Sequence, residues 1–580
     1  MDMVNIILNE MPLSVPAGST ILEAARFAGI EIPTLCYLKE INEIGACRIC
    51  VVEVKGARSL VAACVHPVSE GMEINTNSLK VQNARKLTLE LILSTHDRSC
   101  LSCVRSGNCE LQQLCKEFGV DEEDRFDGFN KQYDFDDSTI HLVRDNNKCI
   151  LCRRCVAACQ NQAVGVIGTN DRGFDTHIGC AFEQNLGSVA CVSCGQCIVN
   201  CPTGALTEKD DTGKVWAALS DQKKHVVVAA APSIRVTLGE CFDMDIGTNV
   251  KGKMVAALRR LGFDGVFDTD VTADLTIVEE AHELIERVKN GGKLPMITSC
   301  SPGWVKYCEH YYPELLPHLS SCKSPQQMFG AISKTWYAQK MGIEPKDIFV
   351  VSIIPCTAKK FEALREDQNA AHGLPDIDVA LTTRELGRMI NRAHIKFTAL
   401  PDEEFDSPMG ISSGAGAIFG ATGGVMEAAL RTAADWITEK PGENMDLLEV
   451  RGTKGIKEAV YKLGDLEVKV AVASGLKNAH QIMEKIKSGE AEYHFIEIMC
   501  CPGGCVNGGG QPVQHAVTHN FVDLRAERAK ALYEEDKNLT YRKSHETPVI
   551  KALYEEYLEK PGSHIAHEIL HTTYIERSKY

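Results

Sequence analysis

The chain has 580 residues and a mass of 63.6 kDa, which is too long for a single hydrophobic core, so several domains are expected. Its formal net charge of −16 disfavours nucleic acid and anionic membrane surfaces as partners. It has 25 cysteines, no N-terminal signal peptide and no apolar stretch long enough to span a bilayer, which together predict a cytoplasmic, reducing location where cysteine binds metal.

The first predicted domain covers residues 1–80 and is rich in β-structure. Residues 3–9 and 12–15 have the pattern of a hairpin, and a capped amphipathic helix begins at Thr20. Four cysteines are spaced C-x10-C-x2-C-x13-C, a close pair with one further cysteine on each side, which suits a loop folded over a 2Fe-2S cluster. Structural zinc is the alternative, although zinc sites favour two close pairs. The candidate ligands are Cys36, Cys47, Cys50 and Cys64.

The second predicted domain, residues 81–120, is a small helical unit with the spacing H-x3-C-x2-C-x5-C. One histidine with three cysteines suits either zinc or a 4Fe-4S cluster with one imidazole ligand. Its position between two other iron–sulfur groups favours the 4Fe-4S cluster, whose potential a neutral imidazole would raise. The candidate ligands are His96, Cys100, Cys103 and Cys109. An acidic linker is predicted over residues 121–137.

The third predicted domain, residues 139–210, contains two runs with the spacing C-x2-C-x2-C-x3-C, the second followed by Pro202. This is the pattern of bacterial two-cluster ferredoxins, in which the fourth cysteine of each run ligates the other cluster. One 4Fe-4S cluster is therefore predicted to take Cys149, Cys152, Cys155 and Cys201. The other is predicted to take Cys191, Cys194, Cys197 and Cys159.

From residue 214 to residue 580, apolar strand runs alternate with helical stretches, which predicts a large α/β domain and an α+β multidomain protein overall. Three strands are followed by cysteine-containing loops, at residues 298–304 (TSCSPGW), 355–362 (PCTAKKFE) and 500–511 (CCPGGCVNGGGQ). Ligands bind at strand ends in α/β folds, although scattered core thiols are the alternative for each loop taken singly. No G-x-G-x-x-G motif opens a βαβ unit, so a nucleotide site within the chain is not expected.

Through these three loops and the order of its cluster groups, the chain resembles the iron-only (FeFe) hydrogenases over nearly its whole length, in particular the catalytic subunits of NAD(P)-linked, electron-bifurcating hydrogenases. Supporting stretches are residues 231–235 (APSIR), 323–327 (KSPQQ) and 419–430 (FGATGGVMEAAL). The N-terminal half also resembles the start of the large peripheral subunit of respiratory complex I. The resemblance implies a β-grasp 2Fe-2S ferredoxin domain, a small helical domain with one histidine and three cysteine ligands, a bacterial two-cluster ferredoxin domain and a large α/β H-cluster domain.

The implied cofactors are one 2Fe-2S cluster, three accessory 4Fe-4S clusters and an H-cluster. In the family, an H-cluster is a 4Fe-4S cube joined through one cysteine to a two-iron site with CO, cyanide and azadithiolate ligands. By position, Cys356, Cys501 and Cys505 match cube ligands, Cys505 being the bridging one, and Lys359 matches the residue that hydrogen-bonds a cyanide. The residues that match the lining of the two-iron pocket are Pro232, Ser233, Gln326, Phe419 and Met499. The residues that match the proton relay to the surface are Glu280, Glu283, Arg287 and Ser320.

The loop at residues 298–304 departs from the family pattern, which is Thr-Ser-Cys-Cys-Pro. Cys300 matches the cysteine that passes protons to the azadithiolate, and Ser301 matches the fourth ligand of the cube. Serine is a hard, poor ligand for iron held among sulfides, so three interpretations stay open. Ser301 ligates through oxygen, or the loop shifts so that Cys300 ligates, or Cys500 takes one of the two roles. Of these, we favour Cys300 as the ligand.

The resemblance therefore implies reversible oxidation of H2 and reduction of protons, with electrons passing through the accessory clusters. The expected partners are H2 and protons, and electrons are expected to pass to a ferredoxin, to sister subunits that bind flavin and NAD(P), or to both. A free-standing enzyme that depends on ferredoxin alone is the main alternative within the family. Two alternatives from other functional classes remain. One is a regulatory hydrogen sensor with slow turnover, and the other is a non-catalytic iron–sulfur scaffold, for electron transfer or cluster assembly, without the two-iron site.

Overall fold

The computed structural model describes most of the chain, namely residues 2–121, 125–126, 130–440, 442, 446–464 and 466–579. The predicted acidic linker over residues 121–137 therefore lies partly outside the described residues. Within those ranges, no helix combines the length and the apolar character needed to cross a membrane.

The N-terminal region is a five-stranded sheet with one helix packed against it. Its elements are β1 (Met3–Leu8), β2 (Met11–Pro16), α1 (Ile21–Phe27), β3 (Val51–Val54), β4 (Val61–Ala62) and β5 (Glu73–Asn75). The strand order is β2-β1-β5-β3-β4, with β1 and β2 as an antiparallel hairpin. Helix α1 begins after Thr20, whose hydroxyl accepts the Glu23 N–H while the Glu23 carboxylate accepts the Thr20 N–H. The predicted hairpin and the predicted helix cap are both confirmed.

Short helices and two-stranded ribbons carry the next cysteine groups. The elements are α2 (Leu79–Leu93), α3 (Glu110–Glu117), β6 (Leu142–Arg144), α4 (Arg154–Asn161), β7 (Gly168–Asn170), β8 (His177–Gly179), α5 (Gln196–Val199), β9 (Leu206–Glu208) and α6 (Thr212–Ser220). The antiparallel pairs are β6 with β9 and β7 with β8. Strand β6 precedes the first cysteine run, and strand β9 follows the second. Because these two strands pair, the two runs lie side by side.

The remainder of the chain forms a large α/β region. Its strands are β10 (His225–Ala230), β11 (Gly265–Asp268), β12 (Met296–Ile297), β13 (Ile348–Ile353), β14 (Val379–Leu381), β15 (Ile456–Leu463), β16 (Leu466–Ser474) and β17 (Phe495–Met499). Its helices are α7 (Lys251–Leu261), α8 (Thr269–Asn290), α9 (Pro302–Tyr311), α10 (Pro325–Ile332), α11 (Ala338–Met341), α12 (Ala358–Glu362), α13 (Thr383–Arg392), α14 (Gly414–Ala417), α15 (Gly424–Thr438), α16 (Leu476–Ser488), α17 (Ala516–Phe521), α18 (Leu524–Asn538), α19 (Pro548–Leu553) and α20 (His564–Leu570). The predicted multidomain architecture with an α/β region is confirmed.

The strands of this region form two four-stranded sheets whose ends position the site. One sheet is parallel throughout, in the order β11-β10-β13-β14, and the other has the order β12-β17-β16-β15 with only β15 antiparallel. The central strands are buried along almost their whole length, as expected for parallel sheets covered on both faces. The predicted cysteine loops follow β12, β13 and β17, so they lie at the carboxyl ends of strands from both sheets.

Candidate active site

A buried cavity of about 80 Å³ lies where the strand ends of the two sheets meet. The three predicted cysteine loops and the segment after β10 all contribute to its walls. The three loops contribute five cysteines and one serine to its walls, namely Cys300, Ser301, Cys356, Cys500, Cys501 and Cys505. Its other lining residues with a predicted role are Pro232, Ser233, Gln326, Lys359, Phe419 and Met499. The fold thus brings every predicted pocket residue to one cavity, while the role of each residue stays a prediction.

Three thiols in this cavity form a compact group, those of Cys356, Cys501 and Cys505. Burial, followed by the nearby Cys501, raises the pKa of Cys505 to about 12. Burial, with Cys501 and Cys505 beside it, raises the pKa of Cys356 well above its ordinary value. Buried thiolates this close to each other require a metal to compensate their charge, and soft thiolate sets select iron–sulfur clusters among the possible metals. The donor set therefore fits an iron–sulfur cube.

Lys359 is the one buried cation on the wall of this cavity among the described residues, and it is held by a carboxylate. Its Nζ donates to the Cys300 carbonyl oxygen at 3.2 Å and pairs with Glu362 at 2.8 Å. Glu362 also accepts hydrogen bonds from Ser324 Oγ at 2.8 Å and from Gln326 Nε2 at 3.2 Å. The sequence analysis did not single out Glu362, although its place three residues after Lys359 on α12 is the spacing of a helical ion pair.

A row of polar side chains runs from this cavity along α8. Cys300 is partly buried, and desolvation, followed by the neighbouring Glu280, raises the pKa of its thiol. Glu283 accepts from Ser320 Oγ at 2.7 Å and pairs with Arg287 at 2.6 Å. The side chains of Glu283 and Arg287 are each 15% exposed, so the row passes from the buried cavity to solvent.

Glu280 is a fully buried member of that row, as is Ser320. Neither of its carboxylate oxygens has a hydrogen-bond partner in the described part of the chain. Burial, followed by the repulsion of Glu283, raises the pKa of Glu280 to about 8, a rise that the nearby Ser320 hydroxyl opposes. An isolated buried carboxyl avoids its charged form, so Glu280 holds a proton at neutral pH and can exchange it near pH 8.

A second buried glutamate, which the sequence analysis missed, fixes one wall of the cavity. Glu497 lies inside the apolar strand β17 and accepts the backbone N–H groups of Gly423 at 2.6 Å and Met426 at 2.8 Å. It therefore caps the start of α15 and fixes the backbone just after Phe419, which lines the cavity. A lone carboxylate within a fully buried strand was the signal that could have revealed it.

The four N-terminal cysteines lie together as two close pairs. Cys50 Sγ and Cys64 Sγ are 3.3 Å apart. The backbone N–H of Cys36 donates to Cys47 Sγ and that of Cys47 donates to Cys36 Sγ, each at 3.4 Å. Two thiol pairs suit a two-iron cluster in which each iron takes two thiolates, and the residues therefore fit a 2Fe-2S group.

The two ferredoxin-like runs share one backbone conformation. Leu151 and Arg153 in the first run have φ values of 54° and 62°, and Ser193 and Gly195 in the second have 60° and 69°. Alternating left-handed residues turn successive N–H groups inward, which forms a concavity suited to an anionic cluster. A cavity of about 20 Å³ is lined by Cys149, Cys152, Cys155 and Cys201. The Cys159 thiol lies instead beside Cys191 and Cys194, so the fourth cysteine of each run stands with the other run.

The group of one histidine and three cysteines lies against the first of these ferredoxin-like sites. Cys109 Sγ contacts the Pro202 carbonyl oxygen at 3.8 Å, and Cys103 Sγ lies next to Gly204. The His96 ring bonds the Lys148 backbone, while its Nδ1 atom is buried without a partner among the described residues. A ligand histidine usually bonds a backbone carbonyl through one ring nitrogen and binds metal through the other. The free nitrogen of His96 therefore fits a ligand role.

Arg154 joins the three N-terminal groups at one point. It lies on α4, is 2% exposed, and forms a bidentate pair with Glu110 of α3 at 2.8 and 2.9 Å. It also donates to the carbonyl oxygens of Cys36 at 3.3 Å and Tyr37 at 3.2 Å. One guanidinium thus fixes the relative positions of the 2Fe-2S region, the region of the histidine and three cysteines, and the ferredoxin-like region.

Arg154→Met is expected to destabilise the N-terminal half by about 3–5 kcal/mol, because it leaves the Glu110 carboxylate buried without its cation. The loss would be measured by denaturant unfolding, monitored through the visible absorbance of the clusters. Arg153→Met is the matched control, since Arg153 is the adjacent residue and is exposed. Equal unfolding midpoints for the two variants would contradict the proposed joining role of Arg154.

Both ferredoxin-like runs contact the loops that line the cavity of Cys356 and Cys501. Thr357 Oγ1 donates to the Ser193 carbonyl oxygen at 2.7 Å, and Gln162 Nε2 donates to the Cys500 carbonyl oxygen at 2.8 Å. A side chain at Gly509 would overlap the Cys194 carbonyl, so only glycine permits this approach. The Cys194 thiol also lies beside Cys500, so the second run meets the loop that carries Cys501.

The chain matches five known families in order. Residues 224–509 match the family described as iron only hydrogenase large subunit, C-terminal domain, and residues 522–577 match iron hydrogenase small subunit. Upstream, residues 1–78 match a 2Fe-2S iron-sulfur cluster binding domain. Residues 85–124 match the NADH-ubiquinone oxidoreductase-G iron-sulfur binding region, and residues 148–215 match a 4Fe-4S dicluster domain.

Similar proteins cover the whole chain. It is 48% identical over 591 residues to the NADP-reducing hydrogenase subunit HndD of Solidesulfovibrio fructosivorans, with 100% of both chains covered. It is 46% identical to iron hydrogenase 1 of Clostridium pasteurianum, over 99% of this chain and 100% of that protein. A solved structure of a variant of apo [FeFe]-hydrogenase HydA1 from Chlamydomonas reinhardtii matches with a TM-score of 0.57 and 42% identity, covering 64% of this chain and 100% of that one.

The fold and the cavity define an oxidoreductase in which further iron–sulfur domains exchange electrons with an iron–sulfur site. The chain belongs to the iron-only hydrogenases, and it is an enzyme of that family with both 2Fe-2S and 4Fe-4S domains. The family named in the sequence analysis is confirmed. The separate match at residues 522–577 was not anticipated, since the sequence analysis assigned that stretch to one large domain.

Proposed function

We propose that the chain oxidises H2 and reduces protons reversibly at an H-cluster held in the cavity between the two sheets. One observation carries this proposal: Cys356, Cys501, Cys505 and Lys359 surround the same cavity from which the Glu280 row leads to solvent. An H-cluster bound there would supply the iron site at which H2 is split or formed. The chain supplies the thiolates, a pocket that excludes water, and a route for protons.

The pocket residues would hold and shield that group. Cys356, Cys501 and Cys505 are the proposed thiolate ligands of the cube, and Cys505 would also bridge to the two-iron site. Lys359 offers a charged hydrogen-bond donor at the cavity wall, held in place by Glu362. The remaining lining residues exclude water and so protect and tune the site. They are Pro232, Ser233, Gln326, Phe419 and Met499.

Protons would travel along the row on α8. Cys300 exchanges protons between the cavity and Glu280, whose pKa of about 8 allows it to accept and release them near neutral pH. The Ser320 hydroxyl connects this step with Glu283, to which it donates. Arg287 holds the Glu283 carboxylate at the solvent end of the row.

Electrons would enter and leave through four accessory clusters, one 2Fe-2S and three 4Fe-4S. The contacts of Cys194 with the cavity loops make the second ferredoxin-like site the proposed neighbour of the cube. The corresponding domains are proposed to span residues 1–80, 81–120, 139–210 and 214–580. The first is proposed to be a β-grasp fold, since its five-stranded mixed sheet carries a single helix.

The external acceptor is proposed to be NAD(P), reached through a sister subunit that binds flavin, with a ferredoxin as a further partner. The NADP-reducing hydrogenase subunit, which is 48% identical over the full chain, supports an NAD(P)-linked role. Such a partnership agrees with a cytoplasmic location. Purification from the native source, followed by identification of co-eluting subunits, would test it, and a chain that elutes alone with only ferredoxin-dependent activity would refute the NAD(P) link.

The hydrogenase proposal predicts that the matured full-length chain shows infrared bands of CO and cyanide ligands and evolves H2 from a reduced viologen. Cys505→Ala is expected to lose the bands, because it removes the proposed bridging thiolate. Cys308→Ala should keep them, since Cys308 is a core cysteine whose thiol bonds the Tyr312 carbonyl oxygen. Activity without these bands, or bands that persist in Cys505→Ala, would contradict the proposed site.

A hydrogen sensor with slow turnover is the second candidate, and Ser301 at a ligand position of the family is the observation that favours it. Measuring H2 evolution together with spectral changes under H2 distinguishes the enzyme from the sensor. The enzyme predicts sustained H2 evolution, whereas the sensor predicts spectral changes on exposure to H2 with little turnover.

A further inference from the structure

The proposed function assigns three ligands of the cube and leaves the fourth unassigned. The identity of that fourth ligand is inferred here, and the inference rests on the proposed function. Three cavity thiols, Cys356, Cys501 and Cys505, account for three ligands. A cube has four irons, and in the family the fourth takes a cysteine where this chain has Ser301. Three neighbouring groups could complete the set, namely the Ser301 hydroxyl and the thiols of Cys300 and Cys500.

The Ser301 hydroxyl is already engaged with the backbone. Its Oγ accepts the N–H of Cys500 at 3.1 Å, which ties the loop after β12 to the loop after β17. A hydroxyl oxygen is also a hard donor and would remain a poor ligand for iron among sulfides. The observed bond gives Ser301 another purpose, because it fixes the backbone position of Cys500.

The Cys300 thiol faces the proton row. Its neighbours include the carboxylate of Glu280, the first carboxylate of the proton row, as well as Lys359 and Cys505. Its carbonyl oxygen accepts the Lys359 Nζ at 3.2 Å, which holds this residue on that side of the cavity. Turning the Cys300 thiol toward the cube would remove the first member of the proton row.

The Cys500 thiol has different neighbours, on the loop that also carries Cys501 and Cys505. It is buried and lies beside the thiols of Cys501 and Cys194. A Cβ at Gly303 would come within 2.6 Å of its sulfur, so glycine at 303 leaves the room that this side chain needs. The Cys500 backbone is held at both ends, by Ser301 at its N–H and by Gln162 at its carbonyl oxygen.

We infer that Cys500 supplies the fourth thiolate of the cube and that Ser301 is the positioning residue that holds it. Position 301 lacks the family's thiol, and the residue whose backbone N–H the Ser301 hydroxyl accepts, Cys500, carries one. Binding converts the Cys500 thiol to a thiolate, with its proton released to solvent and a sulfur–iron bond formed in its place. Cys300 then keeps its place in the proton row. Because Cys500 also touches Cys194, the same thiolate would stand between the cube and the nearest accessory cluster.

The test uses the full chain produced without the two-iron site and reconstituted with iron and sulfide alone. Iron content per chain and the electron paramagnetic resonance of the reduced cube are the readouts. Cys500→Ala is expected to lose about four iron atoms per chain together with the cube signal. The double variant Cys500→Ala/Ser301→Cys should regain both, because it returns the thiol to the family position. Cys300→Ala should keep both.

Full iron content and an unchanged cube signal in Cys500→Ala would overturn the inference. A loss confined to Cys300→Ala or to Ser301→Ala would then identify the actual ligand. If Cys500→Ala does not fold, Cys500→Ser keeps nearly the same volume, and an unshifted cube spectrum in that variant would equally overturn it. Wild-type protein that acquires no cube signal at all would instead count against the proposed function.

Discussion

Glu280→Gln is expected to lower H2 evolution by about 10²–10⁴-fold, the range that a positioned proton-transfer group contributes. Glutamine fills the same buried space but cannot pass a proton from Cys300 toward Ser320 and Glu283. Because Glu280 does not line the cavity, the cavity walls and the proposed ligand thiols remain as they are. The infrared bands of the matured variant should therefore match those of the wild type, which separates a blocked relay from a lost cofactor.

The pH dependence provides a second readout of the same residue. Since burial raises the pKa of Glu280 to about 8, the group is protonated below that pH and charged above it. Evolution consumes the protonated form, so the wild-type rate should fall as the pH rises through about 8. The residual rate of Glu280→Gln should lose this step.

Glu286→Gln is the matched control for this prediction, since Glu286 lies on the same helix, is exposed and bonds only Asn290 in the described contacts. It should retain the wild-type rate and pH profile. A Glu280→Gln variant that keeps more than half of the wild-type rate would show that protons leave the cavity by another route.

Lys359→Met is expected to reduce activity at least about tenfold and to lower stability, because removing one partner of a buried ion pair costs about 3–5 kcal/mol. Methionine retains much of the apolar stem but removes the charge from the cavity wall. Glu362 would then keep only its hydrogen bonds from Ser324 and Gln326. Assays of H2 evolution at saturating reduced viologen and of the thermal midpoint would measure the two effects.

Lys360→Met separates the two effects of that substitution. Lys360 is the next residue on α12 and is also buried in ion pairs, with Glu385 at 2.8 Å and Asp211 at 2.6 Å. It does not line the cavity. Its loss should lower the thermal midpoint comparably and leave the activity per matured cluster unchanged. If both variants lose activity in proportion to stability, Lys359 has no role beyond holding the fold.

That the cysteines of each group lie together was predictable from their spacing, because the members of a group stand on one or two short loops. In the ferredoxin-like region, both runs have left-handed residues at equivalent positions, Leu151 and Ser193, and Cys201 lines the cavity of the first run, where the crossover pattern predicts it. The hairpin and the Thr20 cap were predictable for the same reason, since both depend on contacts a few residues apart.

Groups that act across domains could not be predicted from local patterns. In the sequence, Arg154 is an ordinary basic residue within a cysteine run. The structure shows that it contacts Glu110 and the loop of Cys36. Glu497 and Glu362 likewise gained their roles from helices that meet them in space. Long-range packing brings such partners together, and no spacing along the chain encodes it.

The sequence by itself determined the kinds of cofactor this hydrogenase holds, because ligand chemistry depends on residue type and short spacing. It also located the three loops that carry the cavity thiols. Only the tertiary structure gave the two thiols different neighbours, Glu280 and Lys359 for Cys300 and Cys501 and Cys194 for Cys500. Those two loops follow strands β12 and β17 of one sheet, so the direction of each thiol depends on how the sheets pack against each other and against the Cys194 loop.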